Sequence, residues 1–147
     1  MVYICHRGKK NQHEPENEIS NILHNISLGY DCEIDIWKIN DKIYLGHDCA
    51  KDEISIDFLL QNSKNLWCHA KNVEALNYML KYKDLNCFWH QEDDYTLTSK
   101  NYIWVYPNKP LVNGSIAVMP ENTNYSISDL QICYGICTDE VEYYISN

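Results

Sequence analysis

Tyr30-Asp31-Cys32-Glu33-Ile34-Asp35-Ile36-Trp37, followed after a turn by Tyr44-Leu45-Gly46-His47-Asp48, is the stretch from which the rest of the chain is read. Between Tyr30 and Trp37 apolar and polar residues alternate with period two, the pattern of a strand with one buried and one functional face. Glu33 and Asp35 therefore share a face, while Cys32, Ile34 and Ile36 point the other way. Two carboxylates side by side repel each other and lose hydration, so a fold holds them there mainly when a cation neutralises both. A hard divalent metal is the expectation.

Working outward, Val2 to Cys5 is an apolar run that stops at His6-Arg7-Gly8, a buried strand entering a functional loop. From Glu16 to Leu28 the residues Ile19, Ile22, Leu23 and Ile26 recur at helical spacing, and Gly29 ends the run. Strand, helix and strand form a right-handed parallel unit. On the far side, Trp37 to Leu45 alternates about Asn40-Asp41, a hairpin that returns Gly46-His47-Asp48 over the strand ends. A helix over Ser55 to Asn62 comes next, then a strand over Leu66 to Ala70 with Trp67, His69 and Lys71 on one face. Asn72 caps a helix from Val73 to Tyr82.

Beyond this point Cys87–His90, Ile103–Tyr106, Ile116–Met119 and Gly135–Thr138 read as short buried strands, and only Ser128–Ile132 and Val141–Ile145 read as helical. No linker or repeat divides residues 1–147, so one domain is expected. The fold class is α/β, a reduced TIM-barrel-like parallel β/α barrel with several outer helices missing, because a full eight-stranded barrel needs about 250 residues. A missing half-shell leaves apolar sheet for aromatic side chains, or a homodimer face, to cover.

With 22% charged and 45% hydrophobic residues the chain has the composition of an ordinary soluble globular domain. It lacks any apolar run of the roughly 20 residues that a membrane span needs, and the N-terminus enters a strand rather than a signal peptide, so the expected location is cytoplasmic. Seven cysteines are an odd count, and five fall in predicted strands as small hydrophobes, against a disulfide framework. The net charge of −9 argues against nucleic acid or an anionic membrane as partner and leaves a small soluble substrate.

In a parallel barrel the chemistry gathers at the C-terminal strand ends. There the sequence puts His6 and Arg7, Glu33 and Asp35, His47, His69 and Lys71, and His90. His6-Arg7-Gly8, Pro15-Glu16-Asn17, Glu33-Ile34-Asp35 and Gly46-His47-Asp48, in that order and spacing, resemble the signature of the glycerophosphodiester phosphodiesterase family, within the superfamily of phosphatidylinositol-specific phospholipase C-like phosphodiesterases. Gly135-Ile136-Cys137-Thr138-Asp139 is similar to that family's closing strand. The resemblance implies His6 and His47 as general acid and base, Arg7 as a phosphate-binding arginine, Glu33 and Asp35 as metal ligands, and Lys71 as a lysine offsetting phosphate charge. At the third ligand position, where the family usually carries an acidic residue, this chain has His69. Magnesium, calcium or manganese is the expected cofactor, and an imidazole ligand also admits zinc. His90, followed by Gln91-Glu92-Asp93-Asp94, is a substrate-side rim candidate.

The chemistry asks for these residue types in its own right. A phosphodiester is a stable anion, so its cleavage needs neutralised non-bridging oxygens and proton transfer at the entering and leaving oxygens. The expected function is metal-dependent hydrolysis of a small glycerol- or polyol-linked phosphodiester, and the family resemblance implies a cyclic phosphate where a neighbouring hydroxyl attacks first. The alternative is a catalytically inactive module of the same fold that binds a phosphorylated ligand. A structural zinc protein built on Cys133 and Cys137 is a third class, weakened by the lack of a second close pair. Blander roles compete at single residues: Arg7 holding Glu16, Glu16 and Asn17 starting the helix and bracing the site, and Trp67, Trp89, Trp104 and Tyr106 as core or pocket wall rather than a nucleic-acid platform.

Overall fold

The computed structural model describes all 147 residues. Strand β1 (Val2–Cys5) leads through a 3-10 turn at His6–Gly8 to helix α1 (Ile19–Ser27), and Gly29 at φ +92 then reverses the chain into β2 (Asp31–Ile39). The hairpin about Asn40-Asp41 forms as expected, with β3 (Lys42–Leu45) antiparallel to the second half of β2. After β4 (Asp52–Ile54), Ser55 caps α2 (Ile56–Gln61) by accepting from the Phe58 amide. β5 (Leu66–Ala70) precedes α3 (Val73–Met79), which the Asn72 side chain caps. The remaining elements are β6 (Asn86–Trp89), β7 (Tyr95–Leu97), β8 (Ile103–Val105), β9 (Ile116–Val118), α4 (Ile127–Leu130), β10 (Gly135–Thr138) and α5 (Val141–Ser146).

The expectation of an all-parallel sheet is corrected, because the ten strands form one mixed sheet. A parallel run β6-β5-β2-β1-β10-β9-β8 makes its centre, and β3, β4 and β7 add antiparallel edges. No ladder joins the edge strands β6 and β7, so the sheet is open. Scattered bonds cross that gap, from Thr96 Oγ1 to the Trp89 carbonyl at 2.8 Å and from the Ser99 amide to the Cys87 carbonyl at 2.8 Å. β2 organises the centre: β5 pairs along one edge, while β1 and then β3 divide the other.

Side-chain alternation splits the apolar residues between the two faces of this sheet. Cys32, Ile34 and Ile36 pack with Ile22, Leu59, Ala75 and Met79 in a cluster of 17 buried residues beneath α1, α2 and α3. On the opposite face Ile4, Trp67, Phe88, Trp104, Ile116, Val118 and Cys137 form a second cluster, in which the Trp104 ring lies 4.6 Å from Phe88 and 5.9 Å from Trp67. A third, of four residues, joins Leu130 and Cys133 to Ala117 and Ile136. Cys133 and Cys137 thus belong to clusters on different faces, and all seven cysteines are free thiols, so the pairing behind a structural zinc site does not form. No helix is long and apolar enough to cross a membrane.

Candidate functional site

The turn after β1 is built to put its backbone against β2. Arg7 adopts a left-handed conformation (φ 52, ψ 30), which directs its amide to Glu33 Oε2 at 2.8 Å. Gly8 follows at φ +74, where an added Cβ would lie 2.6 Å from Ile22 Cγ1, so only glycine lets α1 pack this close. Asn17 is 2% exposed and binds Asp35 twice, its Nδ2 donating to Asp35 Oδ2 and its Oδ1 accepting from the Asp35 amide, both at 2.9 Å. Asn17 braces the carboxylate as expected. It does not start the helix, which begins at Ile19 after Glu18 with no side-chain cap.

Glu33 and Asp35 are 2% and 1% exposed and share a face, as the alternation required. The register of β2 and β5 sets Asp35 opposite His69. His69 Nδ1 lies 3.1 Å from Asp35 Oδ1 and 3.6 Å from Glu33 Oε1, and Lys71 Nζ lies 3.5 Å from Asp35 Oδ1. The other ring nitrogen, Nε2, is 2.9 Å from the His90 carbonyl, and the ring stacks on Phe88. A carbonyl can only accept, so Nε2 carries a proton and Nδ1 is the nitrogen presented to the carboxylates. Burial works to lower the His69 pKa, but Asp35 and Glu33 outweigh it and lift it to about 9. Burial likewise works to raise Asp35, but His69, Asn17 and Lys71 hold it at about 2. Glu33, Asp35 and His69 are the one group of acidic, histidine or cysteine side chains close enough to share a cation, each offering a ligand atom within 4.8 Å of the others.

Each of the two histidines expected to move protons rests on a carboxylate. His6 Nδ1 is 3.0 Å from Asp139 Oδ1, whose second oxygen accepts from Lys9 Nζ at 3.1 Å. Burial works to raise the Asp139 pKa, and His6 and Lys9 hold it below the usual carboxylate range instead. Glu121 fixes the segment by accepting from the Asp139 amide and the Thr138 hydroxyl, each at 2.8 Å. His47 Nδ1 lies 2.8 Å from Asp48 Oδ1, and its loop is pinned where the Gly46 amide donates to the Asp35 carbonyl at 3.2 Å and the Trp37 indole donates to the Gly46 carbonyl at 2.6 Å. With Nδ1 engaged in both rings, Nε2 is the nitrogen left for proton transfer. Arg7 Nη1 donates to Glu16 Oε2 at 2.8 Å, so the guanidinium does hold Glu16 while lining the site.

All eight residues singled out from the sequence, His6, Arg7, Glu33, Asp35, His47, His69, Lys71 and His90, line a single cleft of about 490 Å³. Among the buried side-chain atoms without a hydrogen-bond partner, Arg7 Nε and His90 Nδ1 belong to cleft residues, whereas Asp35 Oδ1 is ion-paired with His69 and Lys71. Burying a polar atom without a partner costs on the order of 1–3 kcal/mol, so Arg7 Nε and His90 Nδ1 point to a ligand. Backbone strain gathers here too. Of the six non-glycine residues at positive φ four are asparagines, which tolerate it, and the other two, Arg7 and Met119, both line the cleft. Sequence reasoning missed Asp139 as the partner of His6, and it did not assign Val118, Met119 and Asn122, which line the cleft from the far side. The similarity of Gly135–Asp139 to a closing strand was the available signal for Asp139. No protein-family model, curated protein or solved structure matches the chain.

Proposed function

We propose that this chain is a metal-dependent phosphodiesterase of the glycerophosphodiester phosphodiesterase type, hydrolysing a small glycerol- or polyol-linked phosphodiester. On this reading the open sheet is a reduced TIM-barrel-like β/α barrel that lacks a closing ladder between β6 and β7. The observation that carries the proposal is His69. Its Nε2 is held by the His90 carbonyl and its Nδ1 faces two buried carboxylates, Asp35 at 3.1 Å and Glu33 at 3.6 Å. This donor set of two carboxylates and an imidazole suits manganese and zinc as well as magnesium or calcium. Glu33, Asp35 and His69 would hold the cation, which when bound neutralises non-bridging phosphoryl oxygens as a Lewis acid.

The chain's own residues supply the rest. Arg7 and Lys71 add positive charge for the phosphate. His6 and His47, oriented by Asp139 and Asp48, take a proton from the attacking water or neighbouring hydroxyl and return one to the leaving oxygen. Seven free thiols fit a reducing, cytoplasmic setting, and the charge of −9 fits a small-molecule partner rather than nucleic acid or membrane. The test is release of alcohol from a panel of soluble phosphodiesters, with turnover expected in the presence of a divalent cation and absent after chelation.

The second reading is a non-catalytic module that binds a phosphorylated ligand. It is favoured by the ease with which a protonated His69, together with Lys71, neutralises Glu33 and Asp35 with no cation present. Tight phosphodiester binding without turnover across the panel selects it.

A further inference from the structure

The cleft has two unlike sides. Arg7, Glu33, Asp35 and Lys71 give one side its charge, whereas the other, made by Trp104, Tyr106, Pro107, Val118, Met119 and Asn122, carries none. This uncharged side is also fixed in advance. Trp104 is 3% exposed and wedged against Phe88 and Trp67. The Met119 amide donates to the Cys137 carbonyl at 2.7 Å, holding that residue in its left-handed conformation, and the Tyr106 ring lies 5.5 Å from His90. His90 stands at the border between the sides, with its buried Nδ1 unpartnered.

A charged headgroup would find no counter-charge on such a wall. A flat apolar group would exclude water from Tyr106, Pro107 and Met119 at little ordering cost, since the wall behind them is preformed. Resting on the phosphodiester reading above, we infer that one of the two alcohols of the substrate carries an uncharged, apolar group about the size of an aromatic ring, seated on Tyr106, Pro107 and Met119 beside His90. A cleft of about 490 Å³ has room for a phosphate and one such ring.

Three probes of the same phosphate chemistry test this by calorimetric titration of the full chain in buffer containing magnesium: inorganic phosphate, glycerol 3-phosphate and benzyl phosphate. Benzyl phosphate is expected to bind about tenfold more tightly than glycerol 3-phosphate, from burial of part of the ring. Met119→Asn keeps a residue suited to positive φ, and Tyr106→Ser changes a side chain at a position 44% exposed, so both variants should fold. Combined, they should bring the preference below about threefold while leaving the affinity for inorganic phosphate unchanged. Equal affinity of wild type for the two esters, or a preference that survives in the double variant, overturns the apolar subsite and leaves the phosphate site standing. Failure of all three probes to bind overturns the subsite and the phosphodiester reading together.

Discussion

From Val2 to Trp89 the strands alternate with α1, α2 and α3, and the helices bury one face of the sheet in a cluster of 17 residues. From Gln91 onward the strands are three or four residues long, turns and the four-residue α4 join them, and the matching cluster has four members. The first region and its following residue His90 supply every titrating group expected to do chemistry, and the second supplies Asp139 and the uncharged wall. Placing charged side chains accurately requires backbone that cannot shift, and layered helices on parallel strands provide it. An apolar wall acts through surface rather than direction, so short strands and turns suffice.

If this division holds, His6→Ala and His47→Ala should each lower phosphodiester hydrolysis by about 10²–10⁴, the usual loss of a positioned acid or base. Asn122→Ala on the opposite wall should cost less than about tenfold, since it removes no proton carrier. Steady-state rates on one soluble diester compare the three, and an equal loss at Asn122 would break the division. In stability, Ile34→Ala removes a fully buried side chain from the large cluster and should cost about 4 kcal/mol, whereas Leu130→Ala in the small one should cost nearer 2 kcal/mol, where collapse is easier. Urea unfolding of both variants reads the difference.

A finer comparison uses the two helix caps. Asn72 accepts from the Ala75 amide and also binds the Lys38 amide and carbonyl, tying α3 to β2, while Ser126 closes a capping box on the exposed start of α4. Asn72→Ala should cost about 2 kcal/mol and Ser126→Ala about 0.5 kcal/mol, the ends of the usual range. The smallest expected effect is in acid. Asp139 has a depressed pKa in the folded protein, so its contribution is fully present above its unfolded value of about 3.9 and is lost as pH falls through the lower folded value. The unfolding free energy, read by urea denaturation, should therefore fall further between pH 7 and pH 3 in wild type than in Asp139→Asn.

The same contrast explains what could be read from the sequence. The Tyr30–Asp48 stretch gave its strand, its hairpin and the shared face of Glu33 and Asp35, because a half-buried strand writes its period directly into the residues. Asp52–Ile54 and Tyr95–Leu97 escaped, since three-residue antiparallel edges carry too few residues for a period to register. Asp139 could be assigned to His6 only once β10 was known to lie beside β1, a pairing of residues at opposite ends of the chain that no local pattern encodes. The opening between β6 and β7 is equally a matter of long-range geometry.

Titration of Mn²⁺ into the wild-type chain and into Asp35→Asn, followed calorimetrically, tests the central claim most directly. Loss of an outer-shell partner alone typically costs about 10–100-fold in metal affinity, so loss of a charged ligand should cost at least about 100-fold. The account predicts one wild-type site, weakened to that extent in the variant. Equal binding by both proteins, or no site in the wild type, would contradict it.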